Sequence, residues 1–288
     1  MTSKMIDLKD KKALYEEHRS QVKTYDGGEL PVEYLLTGKE DGETILFIHG
    51  LCMNISYFFP NIIYLTDKYR ILAVSLRGHG NSGVPQPENT ENYSFAKKSE
   101  DIRILADHLG IKKFHCVGSS MGGMVAQEMA DRYPDYFLSL TTVGTPPRIG
   151  FPKWLTTIVT KHFYKLVGLI GRRLYARGVS RFVGKSDTAQ EHLYNILLEL
   201  NPGGNFHSRV NAAGYNHIEK IRNIKVPYLL IMGTRDKFMN RRMGPMIEIY
   251  KANSNIELET IKGAGHCANL DFPVEFNKML EKFIKQEY

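Results

Sequence analysis

The sequence predicts an α/β protein with a mostly parallel central sheet, helices on both faces and an inserted helical cap. Three observations carry this. From about residue 44 onward, short β-branched runs alternate with amphipathic stretches of helical length, the pattern of a parallel sheet covered on both sides. The strand candidates are almost continuously apolar, as strands buried on both faces must be. Residues 146–222 break the alternation, with helical patterns, two glycine-rich breaks and no convincing strand. The core is therefore expected over 1–145 and 223–288, with 1–20 as an N-terminal helical extension, and the cap over 146–222.

Taken in order, residues 21–25 and 31–36 form a candidate hairpin across Asp26-Gly27-Gly28, a turn-forming sequence that joins antiparallel strands. Parallel strands are expected at 44–48, 70–76, 113–117, 139–143, 226–232 and 256–261. Helices are expected at 94–109, stopped by Gly110, and at 121–133, stopped before Pro134. A closing helix is expected at 273–284.

Composition narrows the function classes. The chain has 288 residues, 42% hydrophobic and 24% charged, with 38 Lys+Arg against 31 Asp+Glu. A chain of this length buries about 75% of its unfolded surface and needs no metal or disulfide staple. Cys52, Cys116 and Cys267 are odd in number and lack metal-ligand spacing, so they are expected as small buried hydrophobes. No metal site or cofactor is expected. The first twenty residues alternate charges and lack the apolar core of a signal peptide, which predicts a cytoplasmic protein. The most apolar long window, 151–170, contains Lys153, Lys161, His162 and Lys165 and fails as a membrane span.

The chemistry concentrates at the ends of the expected strands. The run at 113–117 leads straight into Gly118-Ser119-Ser120-Met121-Gly122-Gly123, and a helical pattern begins at once. This is G-x-S-x-G between strand and helix, a tight turn that lifts one serine above the sheet. Only Ser120 has glycine on both sides at the right spacing; Ser119 holds the variable position. A serine hydroxyl needs a base, usually histidine held in one tautomer by a carboxylate. The run at 226–232 ends in Gly233-Thr234-Arg235-Asp236 and that at 256–261 in Gly263-Ala264-Gly265-His266. Both side chains thus arrive at the carboxyl ends of strands, where open α/β sheets bind ligands. Asp271, on a turn just beyond His266, is the rival carboxylate. Acyl transfer also needs donors for developing negative charge. One is the N–H of Met121, after the serine; Leu51 N–H, after His49-Gly50, is the natural second.

These motifs resemble the α/β-hydrolase fold, in its soluble, cap-bearing branch of esterases, lactonases, monoacylglycerol lipases and C–C bond hydrolases. The resemblance rests on His49-Gly50, RGHGNS at 77–82, GSSMGG at 118–123, GTRD at 233–236 and GAGHCANLDFP at 263–273, and covers residues 21–145 and 223–288. It implies a serine hydrolase of carboxylic esters, acyl or lipid-like, with Ser120, His266 and Asp236 as triad. A lactonase, thioesterase or C–C hydrolase with the same triad stays open, as does a hydrolase-fold binding protein with slow turnover. Serine at 120 sets the chain apart from the dehalogenase and epoxide hydrolase branches, which carry aspartate there. The resemblance also makes the arginine and histidine of RGHGNS structural. The G-x-G-x-x-G at 78–83 runs into Val84-Pro85-Gln86-Pro87, so no helix N-terminus waits for a pyrophosphate and nicotinamide binding is not expected.

The charge excess sits in the cap. Residues 146–186 carry nine positive side chains and no acid, leaving 29 basic against 31 acidic residues elsewhere. At about 100° per residue Lys161, Lys165 and Arg172 cluster on one side, with Val159, Phe163, Leu166, Ile170 and Leu174 on the other. The pattern allows a solvated cationic face on a helix whose apolar side closes the pocket, a basic helix resting on an anionic membrane, or attraction of anionic substrates. Trp154, which begins the pattern, is a candidate substrate-binding residue. Nucleic acid is not expected, since no binding module is recognisable. Cys52 and Cys267 flank candidate site residues, either as packed small side chains or as thiols at the pocket mouth.

Overall fold

The computed structural model describes residues 15–285. Eight strands form one sheet: β1 (Lys23–Tyr25), β2 (Val32–Gly38), β3 (Thr44–Ile48), β4 (Arg70–Val74), β5 (Phe114–Ser119), β6 (Phe137–Val143), β7 (Tyr228–Gly233) and β8 (Ile256–Ile261), in the order β1-β2-β4-β3-β5-β6-β7-β8. β1 pairs antiparallel with β2, and β2 with β4. All other pairings are parallel. The six parallel strands therefore send their carboxyl ends to one edge, and the apolar runs at 44–48 and 256–261 match β3 and β8 residue for residue.

Among the described residues eight helices of seven residues or more cover the sheet and build the site: α1 (Phe95–His108), α2 (Met121–Arg132), α3 (Lys153–Ile170), α4 (Arg172–Val183), α5 (Asp187–Leu198), α6 (Pro202–Ala213), α7 (Lys237–Met243) and α8 (Pro273–Ile284). Ser94 caps α1 by accepting from the amide of Lys97, which satisfies one of the donors left open at a helix start. Of the N-terminal extension, residues 15–20 are helical; residues 1–14 lie outside the described residues. One buried cluster fills the face of the sheet shared by α8 and the inserted segment, from Leu35 and Phe47 to Phe276 and Leu280. Another fills the face of α1 and α2, with Leu46, Ile102, Val125 and Tyr228.

α3 to α6 lie between β6 and β7. The chain enters and leaves this segment through a ribbon: Arg148 bridges Asn216, and the amides of Ile149, Phe151 and His217 donate to Tyr215, Ala213 and Pro147. Residues 218–222 form a short helix on the core, where Ile221 is buried with Tyr228 and Lys220 lies 2.6 Å from Glu128. The helical insertion thus closes at the ribbon, ahead of residue 222.

The loop after β4 is built on buried charge. Arg77 grips Asp101 through two hydrogen bonds, Nε to Oδ2 at 2.7 Å and Nη2 to Oδ1 at 2.6 Å, and also reaches Glu29. Glu33 of β2 accepts from Ser75 and Asn81, pinning the turn from the other side. No helix follows Gly78–Gly83 before a short turn at Glu91–Tyr93. Breaking a buried pair by removing one partner leaves an uncompensated charge. Asp101→Leu should therefore cost about 3 kcal/mol, measured as a lower urea midpoint, while exposed Asp41→Leu should change the midpoint little.

Candidate active site

Ser120 stands between β5 and α2 with φ 51° and ψ −112°. A positive φ is rare for a residue with a side chain and costs on the order of 1–3 kcal/mol. Among the described non-glycine residues only Cys52 shares it. The amide of Ser120 donates to Val143 at the end of β6. The turn closes because α2 comes against β3 without side chains between: a Cβ on Gly122 would lie 2.1 Å from the carbonyl oxygen of Ile48. Ser119 also borders the cavity, but its hydroxyl is engaged by Tyr57. Tyr57 donates to Asn269 Oδ1 at 2.9 Å, so the 2.9 Å contact between Tyr57 and Ser119 is made by the serine proton.

Asp236 and His266 meet across the ends of β7 and β8. Nδ1 of His266 lies 2.6 Å from Asp236 Oδ2, and the other carboxylate oxygen accepts from the amide of Met239 in the first turn of α7. Burial alone would raise the Asp236 carboxyl, but the hydrogen bond and charge of His266, with the Met239 amide, hold it below its ordinary value. The side chain of His266 is 18% exposed and that of Asp236 5%, so the imidazole opens onto the cavity while the carboxylate is shielded behind it. Gly144, after β6, lets the ring in: a Cβ there would lie 3.0 Å from His266 Nδ1.

Asp271 does a different job. Its Oδ1 accepts from the amides of Lys185 and Ser186 at 2.6 and 2.8 Å, and Oδ2 from Gly265 at 2.7 Å. The amides of His266 and Cys267 both donate to Val183, the last residue of α4. The histidine loop is thus bolted to the inserted segment. A buried network of Asn61, Asn269 and Asn277 supports it from below, and Tyr57 links that network to Ser119. Sequence reasoning missed this network, since asparagines far apart along the chain give no local signal.

The candidate oxyanion donors lie at the same place. Met121 is the first residue of α2, where an amide has no intrahelical partner. Leu51 follows Gly50, where a Cβ would lie 3.6 Å from Ser120 Cβ. His49 fixes that loop: Nε2 accepts from the Leu76 amide at 3.0 Å, so Nδ1 carries the proton and donates to Gly50 at 2.8 Å. Burial lowers His49 to about 4 and keeps the ring neutral in this role.

A cavity of 560 Å³ gathers Ser120, His266, Asp236 and Leu51 from the core, and Phe163, Tyr175, Val179 and Phe182 from the inserted segment. Four cations reach it, Lys185, Arg209, Arg235 and Lys237, against the single carboxylate of Asp236. Arg209 Nη2 lies 3.7 Å from Cys52 Sγ and its guanidinium 5.4 Å from the ring of Phe163, while its buried Nε meets no acceptor. Burial keeps the nearby phenols of Tyr164 and Tyr175 protonated, well above their ordinary value. Trp154 is not among the residues around the cavity and is 67% exposed, which corrects its expected substrate contact: the first turn of α3 points away. The three cysteines are free and buried, and burial pushes Cys267 up to about 12, a protonated and unreactive thiol. Among the described residues no cluster suited to a metal ion occurs.

A family model described as the alpha/beta hydrolase fold matches residues 43–273. Uncharacterized carboxylesterase nap of Bacillus subtilis (strain 168) is 26% identical over 266 residues, covering 88% of this chain and 83% of its own. The 3-oxoadipate enol-lactonase 2 of Acinetobacter baylyi is 24% identical over 267 residues, covering 91% and 96%. The crystal structure of the enol-lactonase from Burkholderia xenovorans LB400 has a similar fold, with TM-score 0.78 at 21% identity over 91% of this chain and 100% of that one.

The two carboxylates near His266 make separable predictions. Asp236→Asn should lower kcat about 10⁴-fold with the fold intact, as expected when a histidine loses its orienting carboxylate. Asp271→Ala should instead lower stability by about 3 kcal/mol, since it strands buried amides. Steady-state kinetics and urea denaturation of both variants check the assignment.

Proposed function

The chain belongs to the alpha/beta hydrolase fold family, and on that premise we propose that it is a serine hydrolase cleaving carboxylic esters through an acyl-enzyme. The observation that carries this reading is the left-handed Ser120 opening onto the same cavity as the His266–Asp236 pair. In the reaction, His266 takes the Ser120 proton through Nε2 as the hydroxyl attacks the acyl carbon. Asp236 holds the ring by Nδ1 and stabilises its protonated form. The amides of Leu51 and Met121 donate to the oxyanion, each worth roughly 3 kcal/mol of barrier. His266 then returns the proton to the leaving alcohol, and water, activated by the same ring, releases the acid.

The cavity wall narrows the substrate class. A buried guanidinium without a carboxylate partner, in a cavity where four cations face one carboxylate, is a site for an anionic group. The substrate is accordingly an ester that carries a second, acidic group, with Arg209 as its counterion. The carboxylesterase and enol-lactonase names of relatives support ester-bond chemistry in general, and the cation supports this choice within it.

Ser120→Ala should lower kcat on a p-nitrophenyl ester by on the order of 10⁶-fold; a variant keeping a tenth of the turnover would sink the proposal. Stoichiometric labelling of Ser120 by a fluorophosphonate without turnover on any ester would point instead to a ligand-binding protein. Arg209→Met should raise KM for a monoester of a dicarboxylic acid about 10-fold to 100-fold, in line with the loss of a charge-assisted hydrogen bond, and leave KM for a neutral ester of equal length unchanged.

A further inference from the structure

α3 buries less of its apolar side than the pocket-closing alternative read from the sequence requires. Of its eighteen residues only Thr160 is fully buried. Phe163, Tyr164 and Val167 form a narrow stripe packed on the core, with Phe163 at the cavity, whereas Val159, Leu166, Ile170 and Leu174, which share the predicted apolar side with Phe163, are exposed. Ten of the thirteen large hydrophobic side chains exposed among the described residues fall between Phe151 and Phe182, with Leu169 the extreme at 85%. The physical reason is angular. The stripe that packs takes one side of the helix, and Trp154, Ile158, Val159, Leu166 and Leu169 lie on a second, exposed arc across from it, with Lys165 and His162 among them and Lys161 at its edge.

α4 continues the surface. Tyr175, Ala176 and Ser180 are buried, and Arg172, Arg173, Arg177 and Arg181 face outward beside Leu174 and Phe182. Phe182 packs against Phe238 with ring centroids 6.4 Å apart; both are exposed, and both line the cavity mouth. Exposed apolar side chains thus recur, interspersed with cations, from the outer face of α3 to the entrance of the site. Among the described residues no helix is long and apolar enough to cross a membrane.

Ten exposed large apolar side chains within one stretch of a folded chain mark a contact surface. Its occupant is set by charge. Nine cations and no acid lie between residues 146 and 186, so a second copy seated face to face would set two cationic belts against each other. An anionic lipid surface answers both features at once: acyl chains take the apolar arc and phosphate headgroups take the lysines and arginines along its edges.

We propose that the outer faces of α3 and α4 dock on an anionic bilayer and hold the mouth of the cavity at the lipid–water interface. Trp154 is the chain's one tryptophan and stands on this face, so the protein carries its own reporter. With vesicles of equimolar phosphatidylglycerol and phosphatidylcholine, Trp154 emission should shift to the blue and be quenched by brominated acyl chains; pure phosphatidylcholine should give neither, and added salt should weaken the effect. Leu166→Glu with Leu169→Glu should lower partitioning about 10-fold or more, with the circular dichroism spectrum and turnover of a water-soluble short-chain ester unchanged. Ser120→Ala should bind vesicles like the wild type, which separates this result from the hydrolase reading. No spectral change with anionic vesicles at low salt, an equal change with neutral ones, or a lipid-free dimer that the glutamate pair converts to monomer would each overturn the proposal.

Discussion

The candidate site depends on one close approach, that of α2 to the end of β3. Gly122 lies so near the carbonyl of Ile48 that the two backbones touch, and no other residue permits it without a shift of helix or sheet. Because the helix starts there, the chain between β5 and α2 has no room for an ordinary turn, and Ser120 is forced into the left-handed region. The same approach brings the loop of Gly50 and Leu51 beside the serine. The strain at Ser120, its position and the candidate oxyanion donors are thus consequences of a single contact between secondary structures.

What was legible in the sequence was whatever is local. Apolar runs buried on both faces mark β3 and β8 to the residue, and the glycines around Ser120 mark the turn because sterics there leave few alternatives. Asp236 and His266 were legible because each follows an apolar strand, and parallel strands end together. The contacts that fix them were not: Asp236 meets the His266 ring while Asp271 spends both oxygens on backbone amides, and Arg209 is one of many basic residues until its neighbours are known. The orientation of α3 was illegible for another reason. Its two apolar arcs are of similar strength, and only the shape of the core beneath decides which one is covered.

Polar groups under the site are spent on position. Asn61, Asn269 and Asn277 exchange hydrogen bonds with one another and with buried carbonyls, and Tyr57 extends the set to Ser119. In a low dielectric such a network is costly unless complete and stiff when it is. It joins the loop after β8 to the turn after β5, so the two chain segments that carry His266 and Ser120 are spaced by hydrogen bonds as well as by the sheet.

The bond from the His266 amide to Val183 couples the loop after β8 to α4. Val179, Phe182 and Val183 wall the cavity from α4, and the last turn of that helix is also the anchor of the imidazole. On the proposed reading, an acyl group that displaces α4 would also displace the loop of His266, so a bulky ester would lose turnover in the chemical step before it lost affinity.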